Sequence, residues 1–182
     1  MIQFYDIVDL FLWSEEVSSK EYPRDSIGKL IKRVGGGRYS AEDIRDYAQT
    51  VSCIFSQSLE FGGTAYRCIY GNIDFDRWDC LAVYLASKVV RKRKDYDRVK
   101  ALCEVVIAAE RTQELTDKRI SWSKHAQYIG ISRQSFMSNW ISVAVFIRKE
   151  LRRLLNKAES ESYDQLCDIG ALAQDRREIA KR

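Results

Sequence analysis

The stretch SWSKHAQYIGISRQSFMSNW, residues 121–140, predicts two helices joined at a single glycine, Gly130. Ser121 or Ser123 can cap the first helix and Ser132 the second, because a serine hydroxyl accepts a hydrogen bond from a free backbone N–H of the first turn. Gly130 permits a left-handed backbone at no steric cost. The pattern is typical of a helix–turn–helix that binds DNA, and also of an ordinary helical hairpin.

The apolar positions of this stretch indicate which side faces the core. Ala126 is small enough for two helices to cross closely, and Ile131 is predicted to plug the core beneath the turn. A long closing helix is predicted over 132–157, because apolar residues recur there at helical spacing. These residues are Phe136, Trp140, Ala144 (or Val143), Ile147, Leu151 and Leu154. A helix–turn–helix is expected to have an apolar residue near Asn139, whereas here it is Trp140.

The polar side chains of the same stretch are of the types that contact DNA. Arginine pairs with guanine, glutamine or asparagine with adenine, and serine with either base, and a helix–turn–helix places the start of its second helix in the major groove. The predicted base-reading residues are Arg133, Gln134, Ser135, Ser138 and Asn139. Phosphate contacts are predicted for Lys118, Arg119, Ser123, Lys124 and Ser132.

The distribution of charge indicates a polyanionic partner. The chain of 182 residues has a formal net charge of +4, yet residues 118–157 contain nine Lys and Arg residues against one acid, Glu150. Residues 88–100 contain seven basic residues against two acids. Such local concentration is usual in proteins that bind nucleic acid. Within the second region, the cluster Arg91, Lys92, Arg93 and Lys94 can contact nucleic acid or an acidic protein, or simply end a solvated helix.

The rest of the chain predicts an all-α fold. One proline and nine glycines leave little to interrupt helices, and no convincing run of strands is present. We predict an N-terminal helical segment over 1–34 and a glycine-rich linker at 35–40. A helical DNA-binding domain is predicted over 38–158, with the helix–turn–helix at 121–140, followed by a lightly packed tail over 159–182.

Metal-binding and membrane functions have no support in the sequence. The five cysteines form no CxxC pair and no zinc-like spacing with the single histidine, so we predict no metal site. The thiols are expected to be reduced and buried in an intracellular protein. Asp74, Asp76 and Asp79 lie at a predicted helix start, where acids complement the helix dipole. No apolar run is long enough to span a membrane.

An enzymatic function is not predicted either, and no cofactor is expected. His125 is the only histidine, and no motif suggests a serine or cysteine nucleophile beside it. We therefore expect His125 to face solvent or a phosphate group.

Three segments of the chain resemble, in order, the late-gene antitermination (Q) proteins of lambdoid phages. AEDIRDYAQTVSCIFSQSLEFGGTAYRCIYG (41–71) is similar to their central helix, and CLAVYLASKVV (80–90) to the helix that follows. YIGISRQSFMSNWISVAVFIRKELRRLLNKAES (128–160) resembles their C-terminal helix–turn–helix and closing helix. The resemblance is one of pattern and covers a little under half of the chain. The lambda-type proteins carry a zinc-binding insert between the last two segments, whereas residues 91–120 hold only Cys103.

The resemblance implies a function beyond what the residue pattern predicts. Such proteins bind a DNA element at a phage late promoter, engage RNA polymerase at a promoter-proximal pause, and travel with it through terminators. The implied partners are double-stranded DNA and bacterial RNA polymerase holoenzyme, in the cytoplasm of a bacterial host cell. The cluster 91–94 would then contact polymerase or flanking DNA. A conventional helix–turn–helix repressor or activator that stays at the promoter, and a helical adaptor that binds protein only, are the alternatives.

Overall fold

A computed structural model describes residues 6–18, 41–58, 60–89 and 96–171. The regular secondary structure of these residues is helical and includes no strand, which confirms the predicted all-α fold. The helices are α1 (Ile7–Ser18), α2 (Ala41–Ser56), α3 (Gly62–Tyr70), α4 (Phe75–Val89), α5 (Tyr96–Thr116), α6 (Trp122–Tyr128), α7 (Arg133–Ser135), a π-helical turn (Phe136–Trp140) and α8 (Ile141–Asp168). None of these described helices has both the length and the apolarity that crossing a membrane requires.

Several predicted features lie outside the described residues. They are most of the N-terminal segment 1–34, the glycine-rich linker at 35–40, the basic cluster 91–94 and residues 172–182 of the predicted tail. The chain divides into two compact units, one formed by Met1–Ser58 and Ala158–Arg182, the other by Leu59–Lys157.

In the first unit, α1 packs against α2 through aromatic contacts. The rings of Phe11 and Phe55 meet edge to face with their centroids 4.9 Å apart, and both side chains are fully buried. Aromatic pairs in this arrangement stabilise a core beyond the area that they bury. The Ser52 hydroxyl donates a hydrogen bond to a Glu15 carboxylate oxygen at 2.8 Å.

Helix α8 extends to Asp168, well beyond the predicted end at residue 157. Ala158, Ser162 and Leu166 are buried at intervals of one helical turn and continue the apolar side of the helix. Gly170 follows the helix with φ = +70°, and the Ala171 N–H donates to the Leu166 carbonyl at 2.8 Å. Residues 159–171 are therefore not the lightly packed tail that we predicted, since Ser162 occupies a core position that its polarity conceals in the sequence.

In the second unit, α3, α4 and α5 pack around a core that includes Tyr66, Leu85 and Leu102. The Arg111 guanidinium donates to the carbonyl oxygens of Cys68 and Ile69 at 2.9 and 3.0 Å, which satisfies free acceptors at the end of α3.

Helix α4 begins as its acidic residues predict. The Asp74 carboxylate accepts the backbone N–H groups of Asp76 and Arg77 at 3.1 and 3.2 Å and forms an ion pair with the Arg77 side chain. Asp74 therefore caps the helix, and Asp76 lies in its first turn, where a negative charge complements the dipole.

The cysteines differ in burial, contrary to the expectation that all five are buried. Cys68 and Cys103 are buried, and this burial raises the pKa of each thiol to about 12. Cys53 and Cys80 are exposed, and Cys167 is half-buried. The expectation fails for the exposed pair because each lies just outside the buried face of its amphipathic helix.

Candidate nucleic-acid interface

The first helix of the pair, α6, starts where a serine caps it. The Ser121 hydroxyl accepts the Lys124 backbone N–H at 3.4 Å, and the Ser121 carbonyl accepts the N–H groups of Lys124 and His125. Of the two serines considered as caps, Ser121 is therefore the cap. Ser123 lies inside α6 with an exposed side chain.

The turn between α6 and α7 is a glycine-terminated helix end of the Schellman type. Gly130 has φ = +69°, the Ile131 N–H donates to the Ala126 carbonyl at 3.0 Å, and the Gly130 N–H donates to the Gln127 carbonyl at 3.1 Å. A Cβ at position 130 would meet no atom within 4 Å, so only the left-handed backbone requires glycine there. Ile131 is half-buried and does not plug the core as predicted; Ala126 and Phe136 are the buried residues beside the turn.

The second helix of the pair contains a π-helical turn that the sequence did not reveal. Ser132 caps α7 by accepting the Ser135 N–H at 3.1 Å, as predicted. The Ile141 N–H then donates to the Phe136 carbonyl, five residues back, so this turn holds one residue more than an α-helical turn.

The π-helical turn contains both Asn139 and Trp140, the position expected to be apolar and the residue that is apolar instead. Phe136 and Ala144 are both fully buried. Residues eight apart lie within the apolar stripe of an amphipathic helix, so the burial of both follows from helical spacing. Trp140 is half-buried, and the Arg98 guanidinium lies 5.8 Å from its ring centroid.

His125 is buried, which contradicts the expectation that it faces solvent or a phosphate. Its ring centroid lies 4.8 Å from that of Trp122 and 6.3 Å from that of Phe136. Nδ1 lies 2.9 Å from the Ser121 carbonyl oxygen, so Nδ1 carries the proton in the neutral ring. Burial lowers the His125 pKa, and the positive charge of Arg148 lowers it further.

The stability of the protein is therefore expected to fall as the pH decreases below about 6.5, the usual pKa of histidine in an unfolded chain. Because the pKa of His125 is lower in the folded state, protonation of this side chain favours the unfolded state. The folded protein therefore keeps its full stability above that pH and loses stability as the pH falls below it. Thermal melts between pH 7.5 and 5.5 should show a smaller decrease for His125→Asn than for the wild type. The comparison is direct because the chain has no other histidine. Equal decreases in the two proteins would contradict this assignment.

The predicted base-reading residues lie in α7 and the π-helical turn. Four of them are exposed, namely Arg133, Gln134, Ser138 and Asn139. Ser135 is half-buried, and its backbone N–H is bound by the Ser132 cap. Met137 of the π-helical turn, which is not among the predicted contacts, is also exposed.

The predicted phosphate-contacting residues are accessible. Lys118 and Arg119 lie in the loop before α6, Lys124 and Ser123 lie in α6, and Ser132 precedes α7, all with exposed side chains. The Ser132 hydroxyl oxygen is occupied as an acceptor, so this side chain has its O–H left for an external acceptor.

Ion pairs divide the basic residues of 118–157 into two groups. Arg152 pairs with Glu110 at 2.9 Å and with Glu114 at 3.1 Å, and Arg148 also pairs with Glu110. Arg153 pairs with Glu60 and Glu150 at 3.0 and 2.8 Å, and Lys157 lies 3.5 Å from Glu60. The second group forms no ion pair with any residue that the structure describes: Lys118, Arg119, Lys124, Arg133 and Lys149.

A cavity of ≈ 350 Å³ lies beside the helix pair and brings three of the predicted DNA-contacting residues together: Arg119, Ser123 and Arg133. The other predicted contacts do not line it. The buried Glu110 of α5 and its ion-pair partner Arg148 of α8 also line it. This cavity could not be predicted from the sequence, because its lining comes from α5, α6, α7, the π-helical turn, α8 and the loop before α6.

The described residues contain no group of His, Cys, Asp and Glu side chains arranged to hold a metal ion. The two features of the site are thus the exposed, unpaired cations of the helix pair and its preceding loop, and the cavity beside them. Comparison of the chain with known protein families, characterised proteins and solved structures finds no match.

Proposed function

We propose that this protein is a sequence-specific regulator of transcription that binds double-stranded DNA through a helix–turn–helix at residues 121–140. The observation that carries the proposal is the separation of paired from unpaired cations. Lys118, Arg119, Lys124 and Arg133 are exposed and have no acidic partner among the described residues, whereas the arginines farther along α8 are paired with glutamates. Cations without an acidic partner can bind phosphates and release the counterions of DNA.

The side chains at the start of the second helix support base recognition as well. Arg133 and Gln134 are exposed directly after the turn, and they are the residue types that pair with guanine and adenine in the major groove. The first residues of the second helix read bases in a helix–turn–helix. The proposed role is binding, with no catalytic step and no cofactor.

A narrower function rests on the resemblance to the lambdoid late-gene antitermination proteins. In this role the protein would engage bacterial RNA polymerase holoenzyme near the promoter and enable it to pass terminators in the host cytoplasm. A conventional repressor or activator would use the same DNA-binding surface and stay at the promoter. Transcription in vitro on a template with a terminator separates them, because only an antiterminator increases full-length transcripts beyond the terminator.

Base recognition predicts that Gln134→Ala and Arg133→Ala each weaken specific binding by about 1–3 kcal/mol. A specific duplex would first be selected from a random pool by the wild-type protein, and affinities for it and for an unrelated duplex would be measured by gel shift. Gln134→Ala removes no charge and should leave the unrelated duplex bound as tightly as before. Arg133→Lys keeps the charge without the planar fork and should also lose specificity. Equal losses on both duplexes would show that these side chains do not read bases.

Phosphate binding predicts that Lys118→Gln and Lys124→Gln lower affinity on every sequence. Each should also reduce the slope of log affinity against log salt by about one, because one phosphate contact is lost. Arg153→Gln is the matched control: it removes the same charge, but this arginine is already paired with Glu60 and Glu150. Its salt slope should equal that of the wild type. An unchanged slope in the two lysine variants would show that these lysines do not contact DNA phosphates.

A further inference from the structure

The cavity beside the helix pair has the size of a small-molecule site, and DNA binding alone does not account for it. Its ≈ 350 Å³ falls within the range of about 300–1,000 Å³ that ligand pockets occupy. Part of its wall is apolar and is formed by Val106, Ala109, Ile120, Trp122 and Met137. The remainder is polar, with two buried side chains, Glu110 and His125, among the lining residues.

The charges that line the cavity do not cancel. Arg148 is balanced by the Glu110 carboxylate and also donates to the Gln113 side-chain oxygen at 2.6 Å. Arg119 and Arg133 line the same cavity and have no acidic partner among the residues described. Burial favours the neutral form of His125, which therefore adds no charge near pH 7. Two guanidinium charges are left uncompensated.

We propose that this cavity binds a small organic phosphate, with the phosphate contacted by Arg119 and Arg133 and its apolar or aromatic body against Trp122 and Met137. Guanidinium groups bind phosphate through paired, charge-assisted hydrogen bonds. A phosphate monoester carries about 1.5 to 2 negative charges at pH 7, which matches the two free guanidinium groups. A phosphodiester of the DNA backbone has the same binding chemistry but only one charge, so the monoester is the better match.

Occupation of the cavity would interfere with DNA. Arg133 is a proposed base-reading residue and Arg119 a proposed phosphate contact, so a bound organic phosphate would engage two side chains that the duplex needs. The ligand should therefore lower DNA affinity. This consequence rests on the proposed function, whereas binding of the phosphate itself does not.

The test is isothermal titration calorimetry of the full chain with adenosine 5′-monophosphate, a probe that has both a monoester and an aromatic body. Two double variants are compared, Arg119→Gln with Arg133→Gln, and Lys118→Gln with Lys124→Gln. Both pairs are exposed, unpaired among the described residues and equal in charge removed, but only the arginines line the cavity. The arginine pair should weaken probe binding about tenfold or more, and the lysine pair less than about twofold. Adenosine, without the phosphate, should bind far more weakly than the probe.

Three outcomes decide the matter. Absence of probe binding at millimolar concentration and low salt, or equal losses in the two double variants, would overturn the proposal. A second outcome is that the probe does not bind, while the double arginine variant binds a random duplex much more weakly than the double lysine variant does. The cavity then accepts a backbone phosphodiester, and the proposal of a monoester ligand is overturned. If the wild type binds the probe as expected but no duplex, the cavity inference stands and the proposed DNA-binding function fails.

Discussion

Replacement of Phe136 by alanine is expected to lower the free energy of unfolding by about 3–5 kcal/mol. The ring is fully buried at the start of the π-helical turn, and its centroid lies 5.9 Å from that of Trp122. Phe136 joins the second helix of the pair to the first, so truncation leaves a cavity between them and removes the contact with the His125 ring. Urea denaturation followed by circular dichroism gives the change directly, provided that the denaturant slope stays constant.

Phe146→Ala is the matched control for this measurement. Phe146 lies on α8 with 47% of its surface exposed, so the same truncation there should cost less than about 1 kcal/mol. Losses of similar size in the two variants would mean that Phe136 is not a core residue.

The double substitution Arg148→Met with Arg152→Met is expected to cost about 3–5 kcal/mol, because it leaves a buried carboxylate without an opposite charge. Glu110 is only 2% exposed and forms ion pairs with both arginines. Methionine keeps much of the aliphatic stem, so the loss reports mainly on charge. The measurement is the same urea denaturation.

Two further variants make this prediction specific. Adding Glu110→Gln to the double variant should restore much of the lost stability, since the uncompensated charge is then removed. Arg153→Met should change the urea midpoint little, because its carboxylate partners, Glu60 and Glu150, are not buried. A double variant as stable as the wild type, or no recovery on adding Glu110→Gln, would contradict the role given to Glu110.

The local features of the helix pair followed from the sequence alone. Ser121, Gly130 and Ser132 act through hydrogen bonds that span five residues or fewer, so neighbouring residue types were enough to predict the caps and the turn. The buried positions Ile147, Leu151 and Leu154 followed from helical periodicity for the same reason, and Ala144 was predicted as an alternative to Val143. The exposure of Arg133 and Gln134 could be predicted from the opposite side of that pattern.

Only the tertiary structure decided which charges are free and what surrounds the helix pair. Glu110 and Arg148 lie on different helices, and no periodicity relates them. The sequence therefore showed residues 118–157 as uniformly basic, whereas in the fold only part of that charge is unpaired. The π-helical turn has no counterpart in the residue pattern, and the burial of His125 depends on the rings packed around it. Local residue preferences determine caps, turns and helix faces, whereas ion pairing, burial and the cavity depend on contacts between distant segments that form only when the chain folds.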